Sequence, residues 1–234
     1  MLELEGVCSY RGRAEVLRAI SLNVKEQEVV CLVGRNGAGK TSMTETIMGH
    51  LSATAGRIIW AGRDITRVPP YRRARHGIGY APDYCGIFPD LTVDENLGVS
   101  ELVVSRSGDG SVEKRAQIYS VFPEVREFLN RRGMNLSGGQ KKMVAISRAM
   151  LLSPALLLLD EAFEGLAPVV VTRFTEAVIK IKSLGISLLI AESNLTAASK
   201  IADRIYAIDR GEIIFEGTPH QIAKDNAVMR TIFG

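Results

Sequence analysis

Hydrophobic and polar residues alternate along parts of this chain and recur at helical spacing along others, and the two patterns predict its elements. Residues 2–9 and 15–24 alternate on either side of a turn at 11–13, which predicts an antiparallel pair of strands. The uninterrupted apolar run at 154–159 is typical of a parallel strand that is buried on both faces. Other strands are predicted over 29–33, 56–61, 78–81, 186–191, 202–207 and 213–215.

Apolar residues three or four positions apart predict the helices. Thr92 and Glu95 form a capping box that begins a helical pattern, which continues to about residue 152 with a polar break at 105–111. Because this block interrupts an alternation of strands and helices, we expect it to be an inserted helical subdomain. Other helices are predicted from residue 40, after Pro69-Pro70, over 169–182 and after Thr218-Pro219.

These elements predict a single α/β domain over residues 1–234. Its core would comprise residues 1–83 and 153–234, with the antiparallel pair as a small β-subdomain, and the helical insertion would span about 84–152. A chain of 234 residues is long enough to bury a full hydrophobic core of this kind.

Composition narrows the possible functions only a little. The chain is 46% hydrophobic and 24% charged, as in ordinary globular proteins, and its net charge of +3 is too small to indicate nucleic acid. Cys8, Cys31 and Cys85 are widely spaced and form no metal motif, so we expect reduced thiols in a cytoplasmic protein. The longest apolar run, 155–159, is too short to cross a bilayer, so no direct membrane span is expected.

The strongest chemical signal is the glycine-rich stretch Gly34-Arg35-Asn36-Gly37-Ala38-Gly39-Lys40-Thr41. It follows the predicted strand 29–33 and precedes a helix, which is the context that a phosphate-binding loop requires. The glycines let several backbone N–H groups point at one anion, and the helix N-terminus adds its dipole. Lys40 would supply a point charge for the outer phosphates, and Thr41 a hydroxyl for Mg²⁺. A glycine-rich turn that matches this pattern by accident is disfavoured by the flanking strand and helix.

Two carboxylates follow the predicted parallel strand at 154–159. The carboxyl ends of such strands are where open α/β sheets bind their ligands. Asp160 would hold Mg²⁺, directly or through water, and Glu161 would orient and deprotonate an attacking water. A strand that merely ends in charge is the weaker alternative, because the phosphate loop needs a metal partner.

Three further features each allow two interpretations. Ser137 and Gln140 form a capping box, yet Ser137-Gly138-Gly139 would also present N–H groups to a second anion at a helix N-terminus. Tyr10 is either a turn residue or an aromatic ring that stacks on a base. The basic helix after Pro69-Pro70 could face a phosphate, but a solvated face is favoured. Its arginines are Arg72, Arg73 and Arg75.

Together these motifs resemble the ATP-binding subunit of ABC transporters, from Leu2 to the C-terminal helix. Lys40-Thr41 matches the family's phosphate loop, Asp160-Glu161 its metal-binding and catalytic pair, and 136–140 its signature. Tyr10 falls where the family stacks an aromatic on adenine. The resemblance implies an ATPase with ATP and Mg²⁺ as cofactors and a P-loop NTPase core of mostly parallel sheet. The nucleotide contacts that it implies are Tyr10, Gly34, Asn36, Gly37, Ala38, Gly39, Lys40, Thr41, Ser42, Ser137, Gly138 and Gly139.

The resemblance also implies partners. In this family two subunits dimerise head to tail, and each ATP lies between one subunit's phosphate loop and the other's signature, here Ser137 and Gly139. We therefore expect a second ATP-binding subunit, identical or different, and transmembrane permease subunits. The chain would then be a cytoplasmic protein, peripheral at the inner face of the membrane.

Three positions depart from the commonest family pattern. Asp83 replaces a glutamine that reports on the metal, so we expect Asp83 at the metal with Thr41 and Asp160. Ala167 replaces an aspartate. Ser193 falls where a histidine contacts the terminal phosphate; serine is shorter and uncharged, so it would need a water bridge, and hydrolysis could be slow. The same positions vary in the branched-chain amino-acid importer subfamily, which this chain resembles most.

The first functional hypothesis is therefore an ATPase subunit that powers an importer of branched-chain amino acids or related amides. The second is a nucleotide-gated module with little hydrolysis, in which Asp83 and Ser193 mark lost catalysis. The third is a soluble ABC ATPase that acts on DNA or ribosomes. It is disfavoured because such proteins usually carry two cassettes or a long coiled-coil insertion.

Overall fold

The smaller of two sheets contains the predicted antiparallel pair. The computed structural model describes residues 1–104 and 111–233. The strands of this sheet are β1 Leu2–Arg11, β2 Ala14–Val24, β4 Ala53–Trp60 and β5 Arg63–Asp64. Their order is β2-β1-β4-β5, and every neighbouring pair is antiparallel. The predicted pairing of residues 2–9 with 15–24 is thus confirmed, with Leu2 opposite Val24 and Tyr10 opposite Glu15.

The larger sheet is mostly parallel. Its strands are β3 Val29–Val33, β6 Ile78–Ala81, β7 Leu156–Asp160, β8 Ser187–Glu192, β9 Arg204–Asp209 and β10 Glu212–Gly217. They lie in the order β10-β9-β3-β8-β7-β6, and only β10 runs against its neighbour. The parallel strand predicted from the apolar run at 154–159 is confirmed as β7. Because β3, β8 and β7 are parallel neighbours, their carboxyl ends meet at one edge of the sheet.

Alternate side chains of β3 explain why this strand is apolar throughout. Val29, Cys31 and Val33 join a buried cluster with the helices on one face, while Val30 and Leu32 join a second cluster with the small sheet on the other. A strand covered on both faces needs apolar residues at every position. The edge where β3 ends is therefore fixed by packing from both sides.

The helices follow the predicted order of elements, with one additional short helix after β8 that the sequence did not predict. They are α1 Lys40–Met48, α2 Pro70–Arg75, α3 Val93–Val104, α4 Ser111–Val121, α5 Gly138–Leu151, α6 Pro168–Ser183, α7 Leu195–Ser199, α8 Pro219–Ile222 and α9 Asn226–Phe233. The capping box before α3 is confirmed, since Thr92 Oγ1 accepts the Glu95 N–H at 3.2 Å and Glu95 Oε2 accepts the Thr92 N–H at 2.7 Å. Across residues 1–104 and 111–233, none of the helices combines the length and apolar character that a bilayer crossing needs.

The helical block lies where the sequence predicts an insertion. Helix α5 packs against α3 and α4 and also against β6 and β7. The polar break predicted at 105–111 falls almost wholly on residues 105–110, which lie outside the described residues. Assignment of 84–152 to a separate subdomain stays a prediction.

The favoured interpretation of the basic helix is wrong for one of its arginines. Arg73 is only 2% exposed, whereas Arg72 and Arg75 are exposed. The Arg73 guanidinium donates to the carbonyls of Thr46 at 2.9 Å and Ile47 at 2.7 Å, which belong to the last turn of α1. It also donates to the carbonyls of Val68 and Thr66, at 2.7 and 2.8 Å. The cation therefore binds carbonyls at the negative end of α1, which is a favourable place for it.

Replacing Arg73 with methionine should destabilise the fold strongly. The change removes donors from four carbonyls in a buried place. Since each unsatisfied buried group costs about 1–3 kcal/mol, we expect a loss of about 3 kcal/mol or more in urea denaturation. The matched Arg75→Met substitution on the same helix is exposed and should change stability by less than about 0.5 kcal/mol. Equal effects of the two substitutions would contradict the buried role of Arg73.

Candidate nucleotide-binding site

The glycine-rich stretch forms a tight loop between the end of β3 and the start of α1. Gly39 is the N-cap of α1 with φ of 118°, and no side chain caps the helix. A Cβ on Gly34 would lie 2.3 Å from the backbone oxygen of Ile208, so only glycine fits there. The first N–H groups of α1 are consequently left available for an anion.

A cavity of about 470 Å³ lies over this loop. The sequence-predicted residues that line it are Asn36, Gly37, Gly39, Lys40, Thr41, Ser42, Asp83 and Glu161. Residues that the sequence did not indicate complete the wall: Glu15, Val16, Arg18, Glu164, Arg210 and Gly211. Gly34 and Ala38 are buried beneath the loop and shape it without lining the cavity. The structure thus brings the phosphate loop and Glu161 together around one space.

Lys40 makes a buried ion pair with Glu161. The Lys40 Nζ lies 2.9 Å from Glu161 Oε1, and the two side chains are 4% and 9% exposed. The ammonium also donates to the carbonyls of Gly34, at 2.9 Å, and Arg35, at 3.1 Å. A phosphate oxygen in the cavity would compete with Glu161 for the same ammonium.

Asp160 and Thr41 present the oxygen atoms predicted to hold magnesium. Thr41 Oγ1 donates to Asp160 Oδ1 at 3.3 Å, while the buried Asp160 Oδ2 has no hydrogen-bond partner. Burial raises the pKa of Asp160 to about 6; the Thr41 hydrogen bond opposes this, and the charges of Asp83 and Glu161 add to it. A cation beside Oδ2 would satisfy that atom and offset this cost, so the residues fit Mg²⁺.

The protein supplies only part of a magnesium shell. Within the described residues, no cluster of three or more His, Cys, Asp or Glu could hold a metal by itself. This suits Mg²⁺, which usually takes one or two protein oxygens together with phosphate oxygens and water. Asp83, the third predicted ligand, is exposed at the cavity, where its Oδ1 accepts the N–H of Tyr84 at 2.6 Å.

Ser193 contacts the carboxylate predicted to act as the base. Its N–H and its hydroxyl each lie 3.2 Å from Glu161 Oε2, on the oxygen that Lys40 does not hold. Glu161 itself has a φ of 48°, and its N–H donates to the carbonyl of Ala191 at 2.9 Å. Strained backbone of this kind is common at functional sites, although φ alone does not assign a role.

Glu192 is a buried carboxylate beside this pair that the sequence analysis missed. It is the last residue of β8 and has no exposed surface. Burial raises the pKa of Glu192, the N–H of Asn194 opposes this, and the charge of Glu161 adds to it. A signal was present in the sequence, because Glu192 directly follows the apolar strand predicted at 186–191 and precedes Ser193.

A lysine of α5 holds the loop that follows Glu161. Lys142 Nζ donates to the carbonyl of Glu161 and, at 2.9 Å, to the carbonyl of Glu164. These contacts join the helix that carries the predicted signature to the loop after β7. A shift of α5 would therefore displace the backbone at Glu161.

The signature residues do not line the cavity of their own chain. The predicted capping box is confirmed, with the Gln140 N–H donating to Ser137 Oγ at 3.3 Å and the Ser137 N–H donating to Gln140 Oε1 at 3.0 Å. Ser137 and Gly138 are exposed at the N-terminus of α5, and Gly139 is half-buried. The cap accounts for Ser137 within this chain, and its action on a second anion stays a prediction.

Tyr10 also lies outside the cavity wall. It is near the end of β1 and is 43% exposed, and its neighbour in the ladder, Glu15, lines the cavity instead. A hydrogen bond with Glu15 raises the pKa of Tyr10. The ring is free to contact a base, and stacking on adenine stays a prediction.

Comparison with known proteins identifies the family. The family model described as ABC transporter matches residues 17–164. The chain is 33% identical to the high-affinity branched-chain amino acid transport ATP-binding protein BraG of Pseudomonas aeruginosa, over 93% of each chain. It is 35% identical to the lipopolysaccharide export system ATP-binding protein LptB of Haemophilus influenzae, over 97% of this chain and 93% of that one.

A solved structure agrees with this assignment. The ADP conformation of MJ1267, an ATP-binding cassette of an ABC transporter, superposes with a TM-score of 0.85 at 27% identity, covering 100% of this chain and 98% of that one. The chain therefore belongs to the ABC transporter family, as an ATP-binding subunit. Its fold is that of the ABC ATPase cassette, and it is an ATP-hydrolysing enzyme.

Proposed function

We propose that this ATPase powers an importer of branched-chain amino acids or related amides. The observation that carries the ATPase part is the cavity in which Lys40, Glu161 and the phosphate loop meet. The likeness to BraG supports branched-chain amino acids or related amides as the cargo. So do Asp83, Ala167 and Ser193, which depart from the commonest family pattern in the manner of the branched-chain subfamily. The similar likeness to LptB supports a second candidate, an export system.

Each side chain of the site has its own role in ATP hydrolysis. The loop N–H groups and Lys40 bind the outer phosphates of ATP, and Lys40 exchanges Glu161 for a phosphate oxygen as it does so. Thr41 and Asp160 would hold Mg²⁺, which would neutralise phosphate charge. Glu161, released from Lys40 and still held by Ser193, accepts a proton from the attacking water. Asp83, which also lines the cavity, would help to hold the metal.

A second ATP-binding subunit completes the site. Ser137, Gly138 and Gly139 close over the nucleotide of the opposite chain, through the N-terminus of α5 and its dipole. Their place outside the cavity of their own chain supports this arrangement. Transmembrane permease subunits hold the pair at the inner face of the membrane and select the cargo.

Substituting Glu161 with glutamine should separate binding from hydrolysis. Glutamine keeps the size of the side chain but cannot accept the proton of water, so kcat should fall by about a hundredfold or more. ATP binding should persist, and ATP should drive a dimer that is visible by size-exclusion chromatography. Adding Ser137→Arg should abolish this dimer and leave binding intact.

The matched control is Glu176→Gln, an exposed carboxylate on α6, which should leave phosphate release unchanged. Hydrolysis by Glu161→Gln at the rate of the unmodified protein would show that another group is the base. Binding of ATP without a dimer would contradict only the proposal that two chains share each nucleotide site.

The cargo can be tested by uptake in cells that lack this chain. Uptake of radiolabelled leucine should fall on deletion, and the unmodified gene should restore it while Glu161→Gln should not, because transport requires hydrolysis. Unchanged leucine uptake would contradict the importer. Defective lipopolysaccharide transport in the same cells would favour the export system.

A further inference from the structure

Glu192 is held in the protein interior by backbone donors. Its Oε2 accepts the N–H of Phe163 at 3.1 Å, and its Oε1 accepts the N–H groups of Ser193, at 2.9 Å, and Asn194, at 3.0 Å. Among the residues that the structure describes, no cationic side chain pairs with it. A buried carboxylate without a cation is unfavourable unless hydrogen bonds satisfy it, so these three donors hold the carboxylate in one orientation.

The donors come from two different loops. Phe163 belongs to the loop after β7, which begins with Glu161, and Ser193 and Asn194 belong to the loop after β8. One oxygen of Glu192 faces each loop. The side chain therefore joins the segment that carries the base to the segment that carries Ser193.

Ser193 lies between the two carboxylates. Its hydroxyl is 3.2 Å from Glu161 Oε2 and 3.4 Å from Glu192 Oε1, and its N–H is shared between the same two oxygens. A displaced Ser193 would leave Glu161 Oε2 without either donor. The orientation of the Glu161 carboxylate thus depends on Ser193, which Glu192 fixes.

We propose that Glu192 is a positioning residue for hydrolysis, which fixes Ser193 and the loop after β7 so that Glu161 faces the attacking water. The inference rests on the proposed role of Glu161 as the base. Glu192 does not line the cavity and touches no phosphate-loop residue through these contacts, so it acts on the base and leaves nucleotide binding to others.

The test is the substitution Glu192→Gln, with binding and turnover measured separately. The amide is nearly isosteric, but its NH₂ group must face one set of backbone donors and cannot accept from it. We expect kcat to fall by about tenfold or more while KM and the affinity for ATP change by less than about twofold. The side chain of Glu192→Asp is one methylene shorter, so it should lose part of these contacts and give an intermediate kcat.

The matched control is Asp203→Asn. Asp203 also accepts a backbone N–H from another element, that of Val29 at 2.8 Å, but it lies at the opposite end of β3 from the cavity. This substitution should lower the unfolding temperature without lowering kcat. A fall in kcat that merely follows stability would appear in both variants and would overturn the proposal.

A double substitution shows whether Glu192 acts through the base. If it does, Glu192→Gln should reduce the residual rate of Glu161→Gln by less than about twofold, because the group that it positions has already lost its function. An additive tenfold loss would overturn the proposal, as would a folded Glu192→Gln protein with unchanged kcat. If Glu192→Gln fails to fold, Glu192→Asp alone and in combination with Glu161→Gln gives the same decision.

The two substitutions distinguish the proposed base from the residue proposed to position it. Normal hydrolysis by Glu161→Gln would remove the proposed base whatever Glu192 does. An inactive Glu161→Gln together with a fully active Glu192→Gln would remove only the positioning role.

Discussion

The buried ion pair between Lys40 and Glu161 is the contact on which the rest of the site depends. Two charges taken out of water are costly unless their remaining hydrogen-bonding groups are also satisfied. Here Lys40 has the carbonyls of Gly34 and Arg35, and Glu161 has the N–H and hydroxyl of Ser193. The pair joins the start of α1 to the end of β7, so the groups that would bind phosphate and activate water are held together before a nucleotide arrives.

The topology of the large sheet brings these groups together. The strands β3, β8 and β7 are adjacent and parallel, so the loops after them emerge at one edge. The ends of these strands and the loops after them carry the glycines predicted to bind phosphate, the Glu192-Ser193 pair and the Asp160-Glu161 pair. Because all three strands are covered on both faces, their ends have little freedom to move apart. The site is consequently a product of strand order as much as of any single motif.

The sequence predicted the parts of the fold that local pattern controls. The apolar runs of β3 and β7, the alternation of β1 and β2 and the capping boxes at Thr92 and Ser137 all depend on neighbours a few positions away, and all are confirmed. The residues lining the cavity include Lys40, Thr41 and Glu161 because the phosphate loop and the end of a parallel strand are themselves local signals.

What the sequence missed depends on contacts between distant segments. Arg73 lies on a helix of six residues, too short for its periodicity to show which face is buried, and its partners are carbonyls on another helix. In the sequence Glu192 is only a charge at the end of a strand. Its contact with the loop after β7 appears only in the folded chain. Tyr10 and Ser137 belong to a different class, because their predicted roles require a nucleotide or a second chain.

The most direct measurement is calorimetric titration of the purified protein with ATP, with and without magnesium, beside Lys40→Ala. If the buried ammonium exchanges Glu161 for phosphate, the unmodified protein should bind ATP in a magnesium-dependent manner and Lys40→Ala should show no detectable binding while remaining folded. Lys180→Ala, an exposed lysine on α6, should bind as the unmodified protein does. Equal affinity of Lys40→Ala and the unmodified protein for ATP would contradict the central role of this ion pair.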